Sequence, residues 1–376
     1  MEFLIVGIPE SSRVAGFRDA ARAAGCAEPR VVSWMEVLGE NALLPPPAAA
    51  WVRLESPGRN WNTERRLLEM GAAEEEDDRR FTRVSRAELA AISESAGRVI
   101  AMRQWYLGWK RALSDLSARW PGANFFSPPE DIAVLFDKEL CQHLLETGGC
   151  PMPRSLGVPA GFEDLLDRMR TTRTPRVFLK ACHGSSASGV IALETSRDRI
   201  HAFSTVALFG DGQIFNVRPV REYRDLREII AVVNAVCRER AQAQAWVPKM
   251  GWRGKRTDLR IVTIAGRARH AVVRMSDTPM TNLQLRNTRG DLAAFAVERA
   301  GEFAAAQVAA EKAAACFPRC LALGVDVAIS PDGRAWVLVA NAFGDLLPGC
   351  LVDGWDAWRW QIEALRQRGY VSATGR

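Results

Sequence analysis

The stretch that decides the fold is Arg176-Val-Phe-Leu-Lys-Ala-Cys-His-Gly-Ser-Ser-Ala-Ser-Gly-Val-Ile191. Val177, Phe178 and Leu179 form a short apolar run ending in Lys180, the pattern of a buried strand. Gly184, Ser185, Ser186, Ala187, Ser188 and Gly189 follow, small enough for the backbone to approach a ligand closely, and Val190, Ile191 and Ala192 resume the apolar run. Strand, lysine, small-residue loop and strand can lay backbone N–H groups and a cation over a polyphosphate. The order G-x-x-x-x-G-K-[ST] is absent and no helix start follows, so this is not a Walker loop. Taken alone, the stretch reads equally well as a Gly/Ser hairpin loop beside a surface lysine.

The chain has 376 residues, 48% hydrophobic and 25% charged, the balance of an ordinary globular protein. That length predicts two or three domains or subdomains, at roughly 100–200 residues each. Net charge is a mild +6, and Lys and Arg alternate with acids along much of the chain. This spread argues against a nucleic-acid partner, and only the pI near 9.0 speaks for an RNA-associated protein. The apolar run within Met1–Pro9 is too short for a signal peptide, and no run approaches the ~18 apolar residues of a membrane span. No membrane partner and a cytoplasmic location are therefore expected. Eight cysteines without a C-x-x-C pair, and four scattered histidines, read as isolated buried thiols in a reducing compartment. Cys316 and Cys320 stand four apart with Pro318 between them, and a zinc site is the alternative there.

In chain order, Phe3 to Val6 predicts a buried strand, residues 13–25 a helix closing at Gly25, and Val31-Val32 a second strand. This β-α-β start lacks the G-x-G-x-x-G fingerprint of dinucleotide-binding folds. Val52 to Gly58 reads as strand and turn, with Arg59 either a ligand contact or a plain surface residue. Glu74 to Asp78, beside Arg79 and Arg80, reads as a solvated connection. Helical spacing then runs from Ser85 to about Arg119, and Pro121, Gly122, Pro128 and Pro129 mark a boundary. Asp131 to Leu145 is helical, residues 222–240 are helical, and Ala243 to Val247 is a strand. Asp258–Ile264 and His270–Arg274 form a hairpin turned at Gly266, while Thr281-Asn-Leu283 and Arg289-Gly-Asp291 lie in a loop. An Ala-rich helix covers 302–316. Val325–Ile329 and Ala335–Ala340 are strands joined at Pro331-Asp-Gly333, and a final helix covers about 353–367.

The motifs, taken in this order, resemble the ATP-grasp superfamily, the fold of D-alanine–D-alanine ligase, glutathione synthetase and the ligase that adds glutamate to a ribosomal protein. The resemblance covers roughly residues 129–350. It is most specific around Asp137-Lys138, Thr281-Asn-Leu283 and Asn341-Ala-Phe-Gly-Asp345, which are similar to a bacterial branch of unsettled function. It implies an α/β chain: an N-terminal open α/β domain (1–128), then an ATP-grasp fold whose two α+β subdomains (129–247 and 248–376) sandwich the nucleotide. ATP and Mg2+ are the implied cofactors. Lys138 and Lys180 match the two phosphate-binding lysines, and Gly184–Gly189, with Ser185, Ser186 and Ser188, match the loop that closes over the phosphates. Gln244, Trp246 and Val247 fall in the connector whose backbone edge reads adenine. Arg260 and Arg274 fall where basic residues face phosphates or the reacting carboxylate. Asp326 and Asn341 match magnesium-ligand positions, and Asn282 a substrate or metal contact.

The resemblance implies an ATP-dependent ligase that activates a small-molecule or peptide carboxylate as an acyl phosphate for attack by an amine or other nucleophile. One position departs from it. Residues i and i+2 of a strand share a face, and the residue two before Asn341 is Val339, where the family carries a metal-bridging glutamate. Ala245 likewise stands where an acidic or amide side chain is common, and Asp345 is the nearest substitute carboxylate. The alternative is a catalytically impaired relative that binds nucleotide or peptide as an interaction protein.

Overall fold

The computed structural model describes residues 1–374 apart from 40–42, 59, 76, 77, 79, 96, 197, 198, 211, 345 and 346. Arg59, Arg79 and Asp345, singled out above, lie outside the described residues.

The first sheet is built around β1, an apolar run buried throughout, as a central parallel strand requires. Strand β1 (Phe3–Gly7) leads through α1 (Ser12–Ala23) to β2 (Arg30–Ser33), α2 (Trp34–Val37) and β3 (Trp51–Leu54). Helices α3 (Trp61–Ala72) and α4 (Arg86–Ala91) precede β4 (Arg98–Val99), α5 (Met102–Arg119) and β5 (Asn124–Phe125). The parallel order is β2-β1-β3-β5. Local capping sets the ends. Ser11 accepts from Val14 N at 3.3 Å, and Ser33 and Glu36 cap α2 reciprocally.

The single helix expected over 85–119 is in fact two. Ile92-Ser-Glu-Ser95 breaks it, because serines compete for backbone hydrogen bonds. Gly97 then turns the chain at φ +83°, and β4 leaves the first sheet to become the edge strand of the second, beside β10.

Helices α6 (Pro129–Phe136) and α7 (Lys138–Thr147) follow, split at Asp137. Then come β6 (Ser155–Gly157), α8 (Phe162–Thr171), β7 (Arg176–Ala181), β8 (Val190–Ser196), β9 (Arg199–Phe209), β10 (Gln213–Tyr223), α9 (Leu226–Arg238) and β11 (Ala241–Ala245). The second sheet has the order β4-β10-β9-β8-β7-β11-β6. The opening stretch is the β7–β8 hairpin with its loop, as read. Strands β9 and β10 and helices α3 and α8 went unread in the sequence. The strand expected at Ala243–Val247 stops at Ala245.

The third sheet comprises β12 (Gly251–Trp252), β13 (Lys255–Ile264), β14 (Arg267–Ser276), β15 (Thr288–Gly290), β16 (Ala322–Ile329) and β17 (Ala335–Asn341). Its order is β15-β14-β13-β16-β17, with β12 on β13. The segment Arg289-Gly290, expected in a loop, is the edge strand β15 because it pairs with β14. Helices α10 (Leu292–Glu298) and α11 (Ala300–Ala315) lie between β15 and β16. One face of this sheet presents Leu259, Ile261, Val273, Val325, Val327 and Val337 to the alanines of α11. The opposite face carries the polar residues described below. The last helix, α12 (Ala357–Thr374), returns to the first sheet, where Trp358 and Ile362 pack with Ile5 and Phe17.

Candidate active site

The site is assembled where the second and third sheets face each other. On the second sheet, Lys180 ends the apolar part of β7. Its ammonium donates to Gln244 Oε1 at 2.6 Å and reaches the Leu338 carbonyl of β17 at 3.5 Å. Asp137 caps α7 by accepting from Glu139 N (3.1 Å) and Leu140 N (3.2 Å), which sets Lys138 at the first helical position. The Lys138 ammonium then donates to the carbonyls of Cys182 (3.3 Å) and Gly184 (2.5 Å) at the base of the loop. Both lysines are thus held by neutral oxygens. Burial first, then repulsion from Lys138 and Lys249, pushes the Lys180 ammonium down to about 7 against the pull of Asp326.

The loop is pinned at its C-terminal half and exposed at its tip. Ser188 Oγ and Asn216 of β10 lie 3.0 Å apart, and Thr205 of β9 donates to the Ala187 carbonyl at 2.7 Å. Ser185 and Ser186 are exposed, and Ser186 and Ala187 adopt positive φ of 53° and 60° without being glycine. Gly189 is required: its φ is +66°, and a Cβ there would sit 2.7 Å from Ala181 Cβ.

On the third sheet, register puts the charged residues on one face. Asp258 pairs with Arg274 across β13 and β14, Arg260 with Asp326 across β13 and β16, and Asp326 with Val339 across β16 and β17. A bulge at Leu338 brings both Leu338 and Val339 to the cavity lined by Lys138, Lys180, Gln142 and Gln244, about 10 Å³ in volume. Val339 is therefore a half-buried cavity wall, not a plain core residue.

Arg274 is buried, its Nε donating to Asp258 Oδ1 at 2.7 Å and its Nη1 lying 3.0 Å from Asp326 Oδ1. Lys249, which the sequence did not single out, donates to Asp258 Oδ2 at 2.8 Å and Thr281 Oγ1 at 2.6 Å. Burial would raise the Asp258 carboxyl, but Arg274 and Lys249 outweigh it and hold it well below the usual carboxylate range. Burial likewise would lower Arg274, and the two aspartates outweigh it upward. Asp326 Oδ1 lies 2.5 Å from Arg260 Nε, yet neither guanidinium aims an N–H at it, so this buried oxygen lacks a hydrogen bond among the described residues. Asn341 donates its Nδ2 to the Gly324 carbonyl at 3.0 Å, which commits the amide nitrogen and leaves Oδ1 as a donor atom for a cation.

Further contacts tie the site to helices α5 and α1. His183, which opens the loop, stacks on Tyr106 of α5 at 4.2 Å and approaches Asp137 Oδ2 at 3.1 Å through Nε2. Burial pushes His183 down to about 4, so near neutral pH it is uncharged and donates to that carboxylate. Arg103 of α5 lies 3.7 Å from the same oxygen. Arg13 of α1 donates to the Phe343 carbonyl at 2.8 Å and to that of Gly344, holding the chain after Asn341.

The structure therefore brings together Lys138, Lys180, the Gly184–Gly189 loop, Gln244, Arg260, Arg274, Asp326 and Asn341. Gln244 enters by its side chain, since its backbone is inside the β6-β11-β7 pairing. Trp246 packs on Phe178 at 5.3 Å, Val247 follows it beyond the strand, and Asn282 precedes the short 3-10 turn Leu283–Leu285 beside Thr281. The alternation Asp258, Arg260 on a strand was a signal for the missed carboxylate; Lys249, outside any strand, offered none. Among the described residues no group of three or more His, Cys, Asp or Glu could hold a metal. The thiols are not all isolated: Cys150 and Cys316 Sγ lie 3.7 Å apart.

The lysines, the loop and Phe178, which shares the Lys180 face of β7 and packs on Trp246, fit a nucleoside triphosphate. The orphaned Asp326 oxygen and Asn341 Oδ1 fit one magnesium ion, which commonly takes one or two protein oxygens and shares phosphate oxygens.

Residues 160–343 match the family model described as YheC/D like ATP-grasp. No curated protein matches the chain. Three crystallographic relatives share the fold across nearly the whole chain. D-cycloserine synthetase DcsG is 14% identical, covering 98% of this chain and 99% of its own, with a TM-score of 0.55. ATP-grasp ligase PsnB complexed with minimal precursor is 15% identical, covering 97% and 99%, at 0.53. Macrocyclase MdnC bound with precursor peptide MdnA, from Microcystis aeruginosa MRC, is 11% identical, covering 98% and 100%, at 0.53. Among the described residues no helix is long and apolar enough to cross a membrane.

Proposed function

We propose that this chain, an ATP-grasp protein, is an ATP-dependent ligase that joins a carboxylate of a small molecule or peptide to an amine or other nucleophile. The observation that carries the reading is the pair Lys138 and Lys180, two buried ammonium groups held only by carbonyl and amide oxygens beneath a glycine-bounded loop. No carboxylate among the described residues pairs with these ammonium groups, so a bound polyanion is the partner that restores and holds their charge. The names of the structural relatives, two of them bound to precursor peptides, support a peptide as one substrate class.

ATP supplies the γ-phosphoryl group that turns a carboxylate into an acyl phosphate, which the nucleophile attacks with release of phosphate. Lys138 and Lys180 orient the phosphates, and the loop tip at Ser185 and Ser186 covers them and excludes water. Asp326 and Asn341 would hold one magnesium ion, whose charge offsets that of the phosphate oxygens. Arg274, fixed by Asp258, faces the charge that develops on the transferred group, and Asn282 stands at the acceptor side. We read residues 1–128 as the domain that closes the acceptor side, 129–247 as the phosphate-covering subdomain and 248–376 as the metal-holding one. Purified protein with Mg2+, ATP and mixed amino acids and peptides should release ADP only when both a carboxylate and a nucleophile are present. No ADP from any mixture counts against the reading.

Val339 favours a second reading, an impaired relative that binds nucleotide or peptide and acts by association. In that case ATP turnover appears only in Val339→Glu. Full turnover in the parent removes it.

A further inference from the structure

We infer that Lys249 is a third phosphate-facing cation, and that it lets the site work with one magnesium ion where a second has no further carboxylate among the described residues to hold it. This rests on the reading that the chain binds ATP. The argument begins with the carboxylates. Val339 stands directly opposite Asp326 in the β16–β17 ladder and offers no oxygen. Asp258 is the other carboxylate on this face, and it is fully used by Arg274 Nε, Lys249 Nζ and Thr281 Oγ1. Among the described residues the face then offers a metal the Asp326 carboxylate and Asn341 Oδ1, enough for one divalent ion and not for two.

The cations answer this shortage. Among the described residues, Lys138, Lys180, Lys249, Arg260 and Arg274 have as ion-pair partners across the facing sheets Asp258 and Asp326 alone, five cations to two carboxylates. Burying a lysine is costly unless its ammonium is paired. Lys249 is 6% exposed at its side chain and spends two of its three N–H donors on Asp258 and Thr281. The third N–H has no partner among the described residues. A merely structural counter-ion to Asp258 would not need it, because Arg274 already holds that carboxylate. Its partner Asp258 lies on the sheet face that carries Arg260, Arg274 and Asp326, which places the Lys249 ammonium on the same face as the other cations.

The test uses the full chain with Mn2+ in place of Mg2+ and the nonhydrolysable analogue AMPPNP. Electron paramagnetic resonance should count one tight Mn2+ per bound AMPPNP in the parent and two in Val339→Glu. Lys249→Gln should weaken AMPPNP binding roughly 10- to 100-fold, the range for losing a charge-assisted contact, while Lys249→Arg stays within about threefold of the parent. Thermal melting checks that each variant is folded, and if Lys249→Gln is not, the Mn2+ count still decides. Two Mn2+ per nucleotide in the parent, or unchanged affinity in folded Lys249→Gln, overturns the inference while leaving the ligase reading intact. No AMPPNP binding at all defeats both.

Discussion

The two walls of the site solve the burial of charge in opposite ways. On the second sheet, Lys138 and Lys180 touch only dipoles: the carbonyls of Cys182, Gly184 and Leu338 and the amide of Gln244. On the third, Arg260, Arg274 and Lys249 meet carboxylates, Asp326 and Asp258. Dipoles solvate a cation without cancelling it, so the lysine wall attracts an anion. Two carboxylates offset most of the charge of three cations, so the arginine wall mainly stabilises itself and leaves Lys249 a free N–H for a phosphate. Stability should reside chiefly on the carboxylate-bearing wall, and affinity chiefly on the lysine wall with Lys249.

The sharpest way to break this comparison is Asp258→Ala. It leaves the Arg274 and Lys249 charges buried and short of a partner, and removing one member of a buried ionic network costs about 3–5 kcal/mol. Denaturant unfolding should show that loss. A loss under about 1 kcal/mol would mean that water reaches the network and the wall is not self-neutralised.

Lys180→Met should behave in the reverse manner. Its stability should hold or rise, because the buried charge it deletes has no carboxylate partner and is costly to desolvate, while ATP affinity falls by about 3 kcal/mol. Isothermal titration with ATP and Mg2+ reads the second quantity and thermal melting the first. A variant that unfolds but retains affinity would invert the comparison.

Gly189→Ala probes the hinge between the lysine wall and its cover. The positive φ and the close approach to Ala181 should cost about 2 kcal/mol in stability or loop closure. Limited proteolysis should cut the variant within residues 184–189 faster than the parent. Equal rates would show that the neighbouring backbone absorbs the methyl group without loosening the loop.

The lysine wall was largely legible in the sequence, because a strand, a lysine and a glycine-bounded loop are contiguous. Strand parity likewise set Val339 beside Asn341 and, through the register, opposite Asp326. What escaped depends on pairing between distant segments. Lys249 lies after Pro248 in an irregular stretch, and only the fold brings it to Asp258 and Thr281. Gln244 was expected to serve through its backbone edge, and only the flanking strands β6 and β7 reveal that the side chain is what remains to reach Lys180. The β9–β10 hairpin was hidden by its polar residues, Arg199, Arg218 and Arg221 among them, which interrupt any apolar alternation. The helix expected over 85–119 failed because β4 is recruited by a sheet belonging to a later part of the chain.

The smallest expected effect separates charge on the lysine wall from everything else in the site. With its ammonium lowered to about 7, free Lys180 loses its proton as pH rises through neutrality, and a phosphate ligand must restore it. ATP affinity should therefore fall between about pH 7 and 9, by at most tenfold per pH unit for one proton. Stability should move the other way. The unfolded chain, with lysine near 10.4, holds more protons than the folded one between about 7 and 10.4, so the contribution of this group to folding rises across that window. A general loss of structure at high pH would lower both quantities together, and Lys180→Met should flatten both slopes. Affinity and stability that fall in parallel in the parent, or slopes that survive in the methionine variant, would place the titrating group elsewhere and remove the distinction between the two walls.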